Sequence, residues 1–570
     1  MTQERAWWKE AVVYQIYPQS FNDTDGDGVG DIPGILERLD HLEYLGVDVV
    51  WLNPVYDSPH HDDGYDVRDY RAIREEYGTL ADWERLLAEL HDRGMRLIMD
   101  LVVNHTSDEH EWFVASREDP DGEYGDYYIW KDGAPATGAT NSPGPADRRP
   151  PNNWESGFGG SAWAWDDEVG QYYLHLFDEH QPDLDWETEQ MREDVYEMMR
   201  WWLEKGIDGF RLDVINLISK PQDFPDDDPD RDWPAMGYCS DGPRLDEFLT
   251  EMRAETYGDY DTMTVGEMAE VDLPQARRHT GPDGPLDMVF HFDHVSIDHH
   301  EEEGWWQIRD WDLTELKEIV TRWQTGLGDG WNAVYLGNHD QPRIVSRFGD
   351  DDEYRYESAT MLATLLLTLR GTPFVYQGEE IGMTNYPFES LEEKEDAQTV
   401  GRVRAAVEAG EIDGFEEVKE LVRYRSRDNA RTPMQWTDGE HAGFTDGDPW
   451  LPVNPNHETI NVERERSADR SILEYYRRLV ELRHASDVLV YGEYDLLLPE
   501  DEAVFAYART LADEDAERLV LLNFEPERIA VDADLGLAGA DCIISNYGDA
   551  TGTDGDATAL RPFEARVYER

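Results

Sequence analysis

The chain has 570 residues, of which 126 are acidic and only 50 are basic, so its formal net charge at pH 7 is −76. A surface this negative repels nucleic acids and anionic membranes, so we expect neither as a partner. The hydrophobic fraction of 39% and the aromatic fraction of 12% exclude an intrinsically disordered acidic chain.

The acidic residues are spread along the whole sequence rather than collected in one tail. In molar salt the Debye length falls to about 3 Å, which screens the repulsion between such charges. The composition therefore resembles that of proteins from halophiles that accumulate salt inside the cell. Two cysteines, Cys239 and Cys542, rule out a disulfide framework, and residues 1–18 lack the pattern of a secretion signal, so we expect a cytoplasmic protein.

Short runs rich in β-branched and aromatic residues alternate with segments of helical period. The predicted strands are 12–18, 47–54, 95–105, 207–215, 263–268, 287–293, 332–340 and 372–380, and the helical segments include 33–45, 79–94, 190–204 and 353–370. The strands are mostly apolar without strict alternation, as in parallel sheets covered on both faces. Eight such units predict an α/β fold, a (β/α)8 TIM barrel.

Two connections are too long for a simple repeat. Residues 106–175, rich in Gly, Pro, Asp and Trp, predict a small domain inserted after the third strand, and residues 381–460 predict a second insertion after the eighth. The catalytic barrel would then comprise 1–105 and 176–484. From about residue 485 the pattern changes to short alternating strands, which predicts a C-terminal antiparallel β-sandwich domain over 485–570.

The fourth predicted strand carries two charges inside an apolar run, GFRLDVIN at 209–216. Side chains alternate along a strand, so Arg211 and Asp213 point to the same face. Burying such charges is costly unless they pair or take part in function, and a structural ion pair is the alternative interpretation of an isolated Arg-x-Asp.

Polar residues also mark the ends of other strands. His105 lies on the third strand, Glu267 ends the fifth, and His339 and Asp340 end the seventh. Because polar side chains at the C-terminal ends of TIM-barrel strands face the active site, we expect these residues to converge with Asp213. Three carboxylates without a reactive thiol or a phosphate loop favour glycoside hydrolysis, in which a nucleophilic carboxylate and a general acid flank the scissile bond.

Four segments resemble, in order, the signature regions of the α-amylase superfamily, glycoside hydrolase family 13. They are DLVVNH (100–105), GFRLDVIN (209–216), GEM (266–268) and GNHDQPR (337–343). QPDLDW (181–186) resembles the additional fifth region, and RDNARTPMQW (427–436) is typical of the oligo-1,6-glucosidase and α-glucosidase branch. The resemblance extends from about residue 7 to the C-terminus.

The resemblance implies a role for each matching residue. Asp213 would be the nucleophile, Glu267 the acid/base and Asp340 the transition-state stabiliser. The residues that would hold the non-reducing-end glucose are Asp66, His105, Arg211, His339 and Arg427, with Phe177 as an aromatic wall of the pocket. A place in the core is the alternative for Phe177, and Arg431 is expected to be structural rather than ligand-binding.

The segment DTDGDGVGD (23–31) has oxygen donors at alternating positions with glycines between them, as at the start of a calcium loop. Similar loops in the oligo-1,6-glucosidase branch bind calcium, which implies the ligands Asp23, Asp25, Asp27, the Val29 carbonyl and Asp31. The ion would be structural, with magnesium as the other candidate. An acidic surface turn is the alternative interpretation.

The resemblance predicts an exo-acting, retaining α-glucosidase that releases glucose from short α-glucosides of the isomaltose or maltose type. Val214, next to the nucleophile in DVIN, resembles the α-1,6-active members, and we expect a monomer or small homo-oligomer. One alternative is a glucosyl-transferring relative, such as sucrose isomerase or trehalose synthase; isomerases typically have Thr after the nucleophile and a charged loop that residues 345–358 match poorly. Trehalose-6-phosphate hydrolase would need a basic phosphate pocket, and non-catalytic carbohydrate-binding relatives typically lose a catalytic carboxylate.

Overall fold

Eight parallel strands close into a barrel in this computed structural model, which describes residues 5–570 except 136–143, 232, 301–303, 512–515, 532, 534, 538 and 549–558. The barrel strands are Val13–Ile16, Val49–Leu52, Arg96–Leu101, Gly209–Leu212, Met263–Glu267, Met288–Phe290, Trp331–Val334 and Thr372–Tyr376. Each pairs in parallel with its neighbours in this order, and the eighth pairs with the first. Each overlaps one predicted strand, so the predicted TIM barrel is confirmed.

A helix follows each barrel strand. In chain order these helices are Ile32–Leu45, Leu80–Asp92, Glu189–Lys205, Leu245–Glu255, Leu273–Thr280, Leu313–Gly326, Arg355–Thr368 and Ile472–His484. The second begins at a capping box formed by Thr79 and Asp82 and buries Trp83, Leu86 and Leu90 at the spacing of one helical face. Such faces cover the outside of the barrel, while rings such as Trp51 fill its interior.

All eight barrel strands end earlier than predicted, and at two of them the difference bears on the site. The fourth ends at Leu212, because Val214 has a left-handed backbone conformation that a strand cannot continue through. The seventh ends at Val334, and Asp340 lies in the following loop, where its amide donates a 2.8 Å hydrogen bond to the side chain of Asn338. Asp213 and Asp340 therefore lie just beyond their strands, whereas Glu267 is the last residue of the fifth strand.

Both long connections contain secondary structure of their own. After the third strand come the helix Glu111–Glu118 and a three-stranded antiparallel sheet of Trp130–Lys131, Gln171–Leu174 and Trp163–Asp166. After the eighth strand come the helices Ala397–Ala409, Phe415–Arg425, Asp428–Arg431 and Val462–Ser467. The predicted domain boundaries stay predictions, and parts of 106–175 and 485–570 lie outside the described residues.

The C-terminal region forms an antiparallel β domain, as predicted. Its five strands lie side by side in the order Glu493–Leu496, Val504–Leu511, Ala516–Asn523, Ala565–Glu569 and Asp541–Ser545, and Ile529–Ala530 pairs with Ala559–Leu560. Besides short 3-10 turns, the remaining α-helices in the described part of the chain are Trp7–Glu10, Met236–Cys239, Ile344–Phe348 and Asp487–Tyr491. The remaining strands there are Tyr56–Asp57, Asp69–Ile73, Ala134–Pro135, Arg148–Arg149, His299–His300 and Gly304–Ile308. Across the described residues, none of the helices is both long and apolar enough to span a bilayer.

Candidate active site

A cavity of about 620 Å³ opens at the C-terminal ends of the barrel strands, a volume typical of small-molecule sites. Its wall contains six of the residues that the sequence singled out, namely Asp213, Glu267, Asp340, His105, Phe177 and Arg427. Arg211 and His339 are buried and contact wall residues from behind. The structure thus brings together residues from four different strand ends and from the segment after the eighth strand.

One guanidinium group joins three carboxylates at the floor of this cavity. Arg211 is 1% exposed, and its Nη1 donates to Asp213 Oδ1 at 2.7 Å and to the carboxylate of Asp100. Its Nη2 lies 2.7 Å from Glu267 Oε2. The two carboxylates predicted to react therefore lie close together, as a retaining glycosidase requires.

Burial raises the pKa of Asp213 well above its usual range; Arg211 opposes the rise, and the carboxylates of Glu267 and Asp100 add to it. Burial also raises the pKa of Asp100 to about 6. One positive charge is shared here among three buried carboxylates. The cluster therefore retains a proton more readily than an isolated carboxylate, and that proton belongs to the group rather than to one residue.

Asp340, the third catalytic candidate, has the opposite electrostatic surroundings. Its carboxylate lies 2.7 Å from Arg431 Nη2, 3.4 Å from Arg427 Nη1 and 3.1 Å from His339 Nε2. Burial alone would raise the pKa of Asp340, but His339, Arg427 and Arg431 outweigh it and hold the pKa well below its usual range. A carboxylate that stays ionised can stabilise positive charge that develops on a sugar.

The two histidines are neutral hydrogen-bonding groups. Burial lowers the pKa of His105 to about 4 and that of His339 to about 3. Nδ1 of His339 lies 2.8 Å from the side-chain amide of Gln15, and its Nε2 lies 2.7 Å from the hydroxyl of Tyr65. His339 therefore orients the groups around Asp340 from behind the wall, whereas His105 faces the cavity.

Phe177 lines the cavity rather than lying wholly in the core. Its ring centroid is 5.3 Å from that of His105 and 5.8 Å from that of Phe158, which also lines the cavity. The guanidinium of Arg427 lies 5.0 Å above Phe158, so two aromatic rings and one cation form a continuous part of the wall.

Asp66, which we predicted to hold the sugar, does not line the cavity. It is fully buried, and its carboxylate accepts hydrogen bonds from the amides of His61 at 2.8 Å and Asp62 at 3.2 Å and from the hydroxyl of Ser58 at 3.0 Å. Asp66 thus fixes the turn that presents Asp62, and Asp62 is the one on the wall, 3.0 Å from Arg427. Both lie in HDDGYD, and only the folded turn determines which carboxylate faces inward.

Other residues that line or support the site did not emerge from the sequence. Phe158 and Tyr65 line the cavity, and Gln181 places its side-chain nitrogen between Asp62 at 3.2 Å and His105 at 3.1 Å. Gln181 begins the QPDLDW segment, and the resemblance of that segment to a signature region is the sequence feature that could have indicated a site residue here. Arg431 was assigned a structural role, yet it contacts the carboxylate of Asp340 directly.

Val214 has backbone angles of φ 36° and ψ 38°, which are unusual for a β-branched residue. This turn follows Asp213 directly and points the Val214 amide at Glu267 Oε2, 3.1 Å away. The Val214 side chain lines the cavity. Local backbone strain of this kind tends to occur at functional sites, and here it links the positions of the two reacting carboxylates.

The acidic loop after the first strand brings only part of the implied metal ligand set together. Asp23, Asp25 and Asp27 have carboxylate oxygens within 4.8 Å of one another, an arrangement that suits a hard cation. Asp31 instead caps the following helix, accepting hydrogen bonds from the Gly34 amide at 2.5 Å and from the hydroxyl of Thr24 at 2.8 Å. Burial raises the pKa of Asp27, and the charges of Asp25 and Asp23 add to it.

Residues 15–492 match the family model described as alpha amylase, catalytic domain. The chain belongs to the α-amylase family. It is 51% identical to the oligo-1,6-glucosidase of Halalkalibacterium halodurans over 569 residues, which cover 99% of this chain and 98% of that protein. These similarities, together with the carboxylate site, identify the chain as a glycoside hydrolase.

Two solved structures of enzymes with different activities share this fold. The trehalose-6-phosphate hydrolase of Bacillus licheniformis matches with a TM-score of 0.91 and 48% identity, covering 99% of this chain and 100% of that one. The isomaltulose synthase of Klebsiella sp. LX3 matches with a TM-score of 0.91 and 43% identity, covering 99% of each chain. The fold therefore does not by itself select among these reactions.

We predict that the acid limb of kcat/KM lies above the ordinary aspartate pKa of about 4, because Asp213 must be ionised to react and its pKa is raised. Asp100→Asn removes a carboxylate that competes for Arg211 and should move this limb to lower pH. Asp287→Asn is the matched control, since it removes a buried carboxyl whose pKa is also about 6 at the other end of the barrel. Equal shifts in the two variants would contradict the shared-guanidinium explanation.

Proposed function

We propose that the protein is an exo-acting, retaining α-glucosidase that removes glucose from the non-reducing end of short α-1,6- and α-1,4-linked glucosides. The observation that carries the proposal is that Asp213 and Glu267 are both held by the guanidinium of Arg211 in the wall of one cavity. The 51% identity to the oligo-1,6-glucosidase of Halalkalibacterium halodurans supports the same reaction class.

In the first step, Asp213 attacks the anomeric carbon while Glu267 donates a proton to the departing glycosidic oxygen. The product is a glucosyl ester on Asp213 and a free aglycone. In the second step Glu267, now ionised, takes a proton from water, which attacks the same carbon and releases glucose with retained configuration. Asp340 stays ionised throughout and stabilises the positive charge on the sugar ring.

The one-guanidinium arrangement suits this proton cycle. Glu267 must begin protonated and end ionised, while Asp213 must be ionised at the moment of attack. Because Arg211 contacts both carboxylates, its charge is available to whichever of them is ionised.

The residues at the inner end of the cavity are the reason for proposing exo cleavage. Arg427 lies 3.0 Å from Asp62 and 2.7 Å from Asp396, and its guanidinium lies over Phe158. This cluster would close the pocket behind one glucose residue and block a longer chain. Asp62, with His105 beside it, offers polar atoms to the hydroxyls of that terminal glucose.

The alternative reactions have less support. Five arginines line the cavity, so basic groups are present after all, but each has a partner: Arg347 pairs with Asp298 and Arg231 with Glu270, for example. A phosphate of trehalose 6-phosphate would have to displace such partners. For a sucrose isomerase the residue after the nucleophile would typically be Thr, and here it is Val214.

We further propose that Asp23, Asp25, Asp27, the carbonyl of Val29 and Asp31 hold a structural calcium or magnesium ion. The close approach of the carboxylates of Asp23, Asp25 and Asp27 supports this proposal. Asp31 would join them while its Oδ1 caps the helix Ile32–Leu45. Bound there, the ion would neutralise repulsion in the loop and would take no part in the reaction.

The charge of −76 supports a further proposal, that the protein works in a salt-rich cytoplasm of a halophile. We also propose that it acts as a monomer or small homo-oligomer on soluble oligosaccharides. We likewise propose that the chain has three domains. They are a barrel of 1–105 and 176–484, an inserted domain of 106–175 and a C-terminal domain from 485 onward.

The assigned roles can be tested by trapping the glucosyl ester. A 2-deoxy-2-fluoroglucosyl fluoride should label Asp213, as read by mass spectrometry of peptides. Asp213→Asn should keep the fold and lose nearly all turnover, because an amide cannot form the ester. Glu267→Gln should lose activity on isomaltose but much less on substrates with activated leaving groups, which need little protonation. A label on another carboxylate would refute the assignment.

Linkage preference should depend on Val214. An apolar branched side chain beside the leaving group offers no hydrogen bond, and Val at this place resembles the α-1,6-active branch. We expect isomaltose to be hydrolysed, and Val214→Thr to lower the ratio of kcat/KM for isomaltose to that for maltose by about 10-fold, since such pocket changes are worth about 1–3 kcal/mol. Sucrose, trehalose and trehalose 6-phosphate complete the panel. An unchanged ratio would remove Val214 as the determinant.

Metal binding should raise the melting temperature of the protein. Chelation should lower the Tm of the wild type, and added calcium or magnesium should restore it, because an ion that binds only the folded state stabilises it. Asp25→Asn, which removes an exposed ligand, should abolish both responses while leaving kcat unchanged. A wild-type Tm that chelation does not alter would contradict the metal proposal.

Salt should be required for folding and activity, because unscreened repulsion among 126 acidic residues opposes the compact state. We expect Tm and kcat to fall together when purified protein is dialysed from molar KCl to dilute buffer at fixed metal concentration. Full activity and an unchanged Tm in dilute buffer would exclude the halophilic interpretation.

A further inference from the structure

A second cavity, of about 600 Å³, lies at the opposite end of the barrel from the active site. Its wall includes Thr264 at the start of the fifth strand and Trp331 at the start of the seventh. The N-terminal ends of the strands meet here, whereas the catalytic candidates follow the C-terminal ends. Nothing in the proposed reaction uses this cavity.

Basic side chains outnumber acidic ones in the wall of this cavity. The lining contains Arg5, Lys9, Arg253 and Arg370, and two acidic residues, Asp287 and Asp329. Arg5 is paired with Glu10 and Asp487, at 2.8 Å each. Asp287 is already engaged, since it accepts hydrogen bonds from the amide and hydroxyl of Thr264 at 2.8 and 3.0 Å, and burial raises its pKa to about 6. An excess of cations is notable in a chain where acidic residues outnumber basic ones by 126 to 50.

Arg370 is a half-buried cation in the wall of this cavity. Its guanidinium lies 5.2 Å from the ring centre of Trp331; burial lowers its pKa, and the charges of Glu493 and Asp329 oppose the fall. Within the described part of the chain, the buried Nε of Arg370 has no hydrogen-bond acceptor, and no carboxylate lies within 4 Å of the guanidinium nitrogens. A buried N–H donor normally has an acceptor, because leaving it unsatisfied is unfavourable.

Two further buried arginines add to the positive charge behind Arg370. Arg483 donates to the carbonyls of Leu367 and Gly371, and Arg509 donates to that of Thr368. Burial lowers the pKa of Arg509 to about 9, and the charges of Arg483 and Arg370 contribute to the fall. Positive charge therefore accumulates at this end of the barrel, and an anion in the cavity would relieve the repulsion.

We propose that this cavity binds a small phosphorylated ligand of nucleotide or sugar-phosphate size, with its phosphate on Arg370 and Lys9. A guanidinium presents paired N–H donors that match phosphate oxygens. The ammonium of Lys9 lies 5.1 Å and 5.2 Å from the ring centres of Trp8 and Trp331, so both cations face the same group of aromatic rings.

The size of the cavity and its aromatic lining indicate more than a free phosphate. A volume of about 600 Å³ suits a ligand that carries a ring beside the phosphate. Trp8 and Tyr260 line the cavity, and Tyr260 is 42% exposed, so an uncovered aromatic face is available for stacking. The alternative is that the cations only neutralise the negative end of the helix Leu273–Thr280, which also reaches this cavity.

The test is calorimetric titration of AMP, glucose 6-phosphate and inorganic phosphate into the full-length wild type, at constant ionic strength in KCl. We expect one molecule of AMP or glucose 6-phosphate per chain, bound more tightly than inorganic phosphate and more weakly as KCl rises. Arg370→Met should weaken this binding by about tenfold or more, which corresponds to about 1.4 kcal/mol, and leave kcat/KM for isomaltose unchanged.

Arg85→Met is the matched control, since it removes an exposed positive charge from the helix Leu80–Asp92, away from the cavity, and should leave the affinity unchanged. Lys9→Met provides a second variant if Arg370→Met does not fold, and it should also weaken binding. The proposal is overturned if none of the three probes binds, or if Arg370→Met and Lys9→Met bind them as the wild type does. The same result would assign the cations to the end of the helix, and it would leave the glucosidase proposal untouched.

Discussion

The position of one buried guanidinium governs the geometry and the charge of the active site. Arg211 lies on the fourth barrel strand and contacts Asp100 from the third strand, Asp213 just after its own and Glu267 at the end of the fifth. Closing the barrel aligns these strands in parallel, which sets the three carboxylates within reach of a single side chain. Their negative charge exceeds that of Arg211, so the cluster retains a proton more readily than an isolated carboxylate does.

The carboxylates on the two sides of the cavity have different electrostatic surroundings. On the Asp213 side, one guanidinium contacts three carboxyl groups, and the pKa of Asp213 is raised. On the Asp340 side, Arg427 and Arg431 are both in contact with one carboxylate, which therefore stays ionised. The first side can change its charge during a reaction cycle, and the second cannot. Both arginines come from the segment after the eighth strand, so the insertion completes a site that the barrel alone would leave unbalanced.

Loops at the strand ends turn this framework into a shaped pocket. The left-handed turn at Val214 ends the fourth strand and directs an amide to Glu267. Asp66 holds the turn that presents Asp62 to the cavity, although its own carboxylate is enclosed. At the other end of the barrel, Arg370 faces a cavity lined by basic groups in an otherwise acidic protein. These features depend on where neighbouring elements place backbone amides and charges.

The sequence determined the barrel and the identity of its central residues. Eight apolar runs separated by helical segments are enough to predict a parallel barrel, and alternation along a strand puts Arg211 and Asp213 on one face. The choice of Asp62 over Asp66 and the sharing of Arg211 were decided only by tertiary structure. They rest on distances between segments far apart in the chain and on burial, which local sequence patterns do not encode.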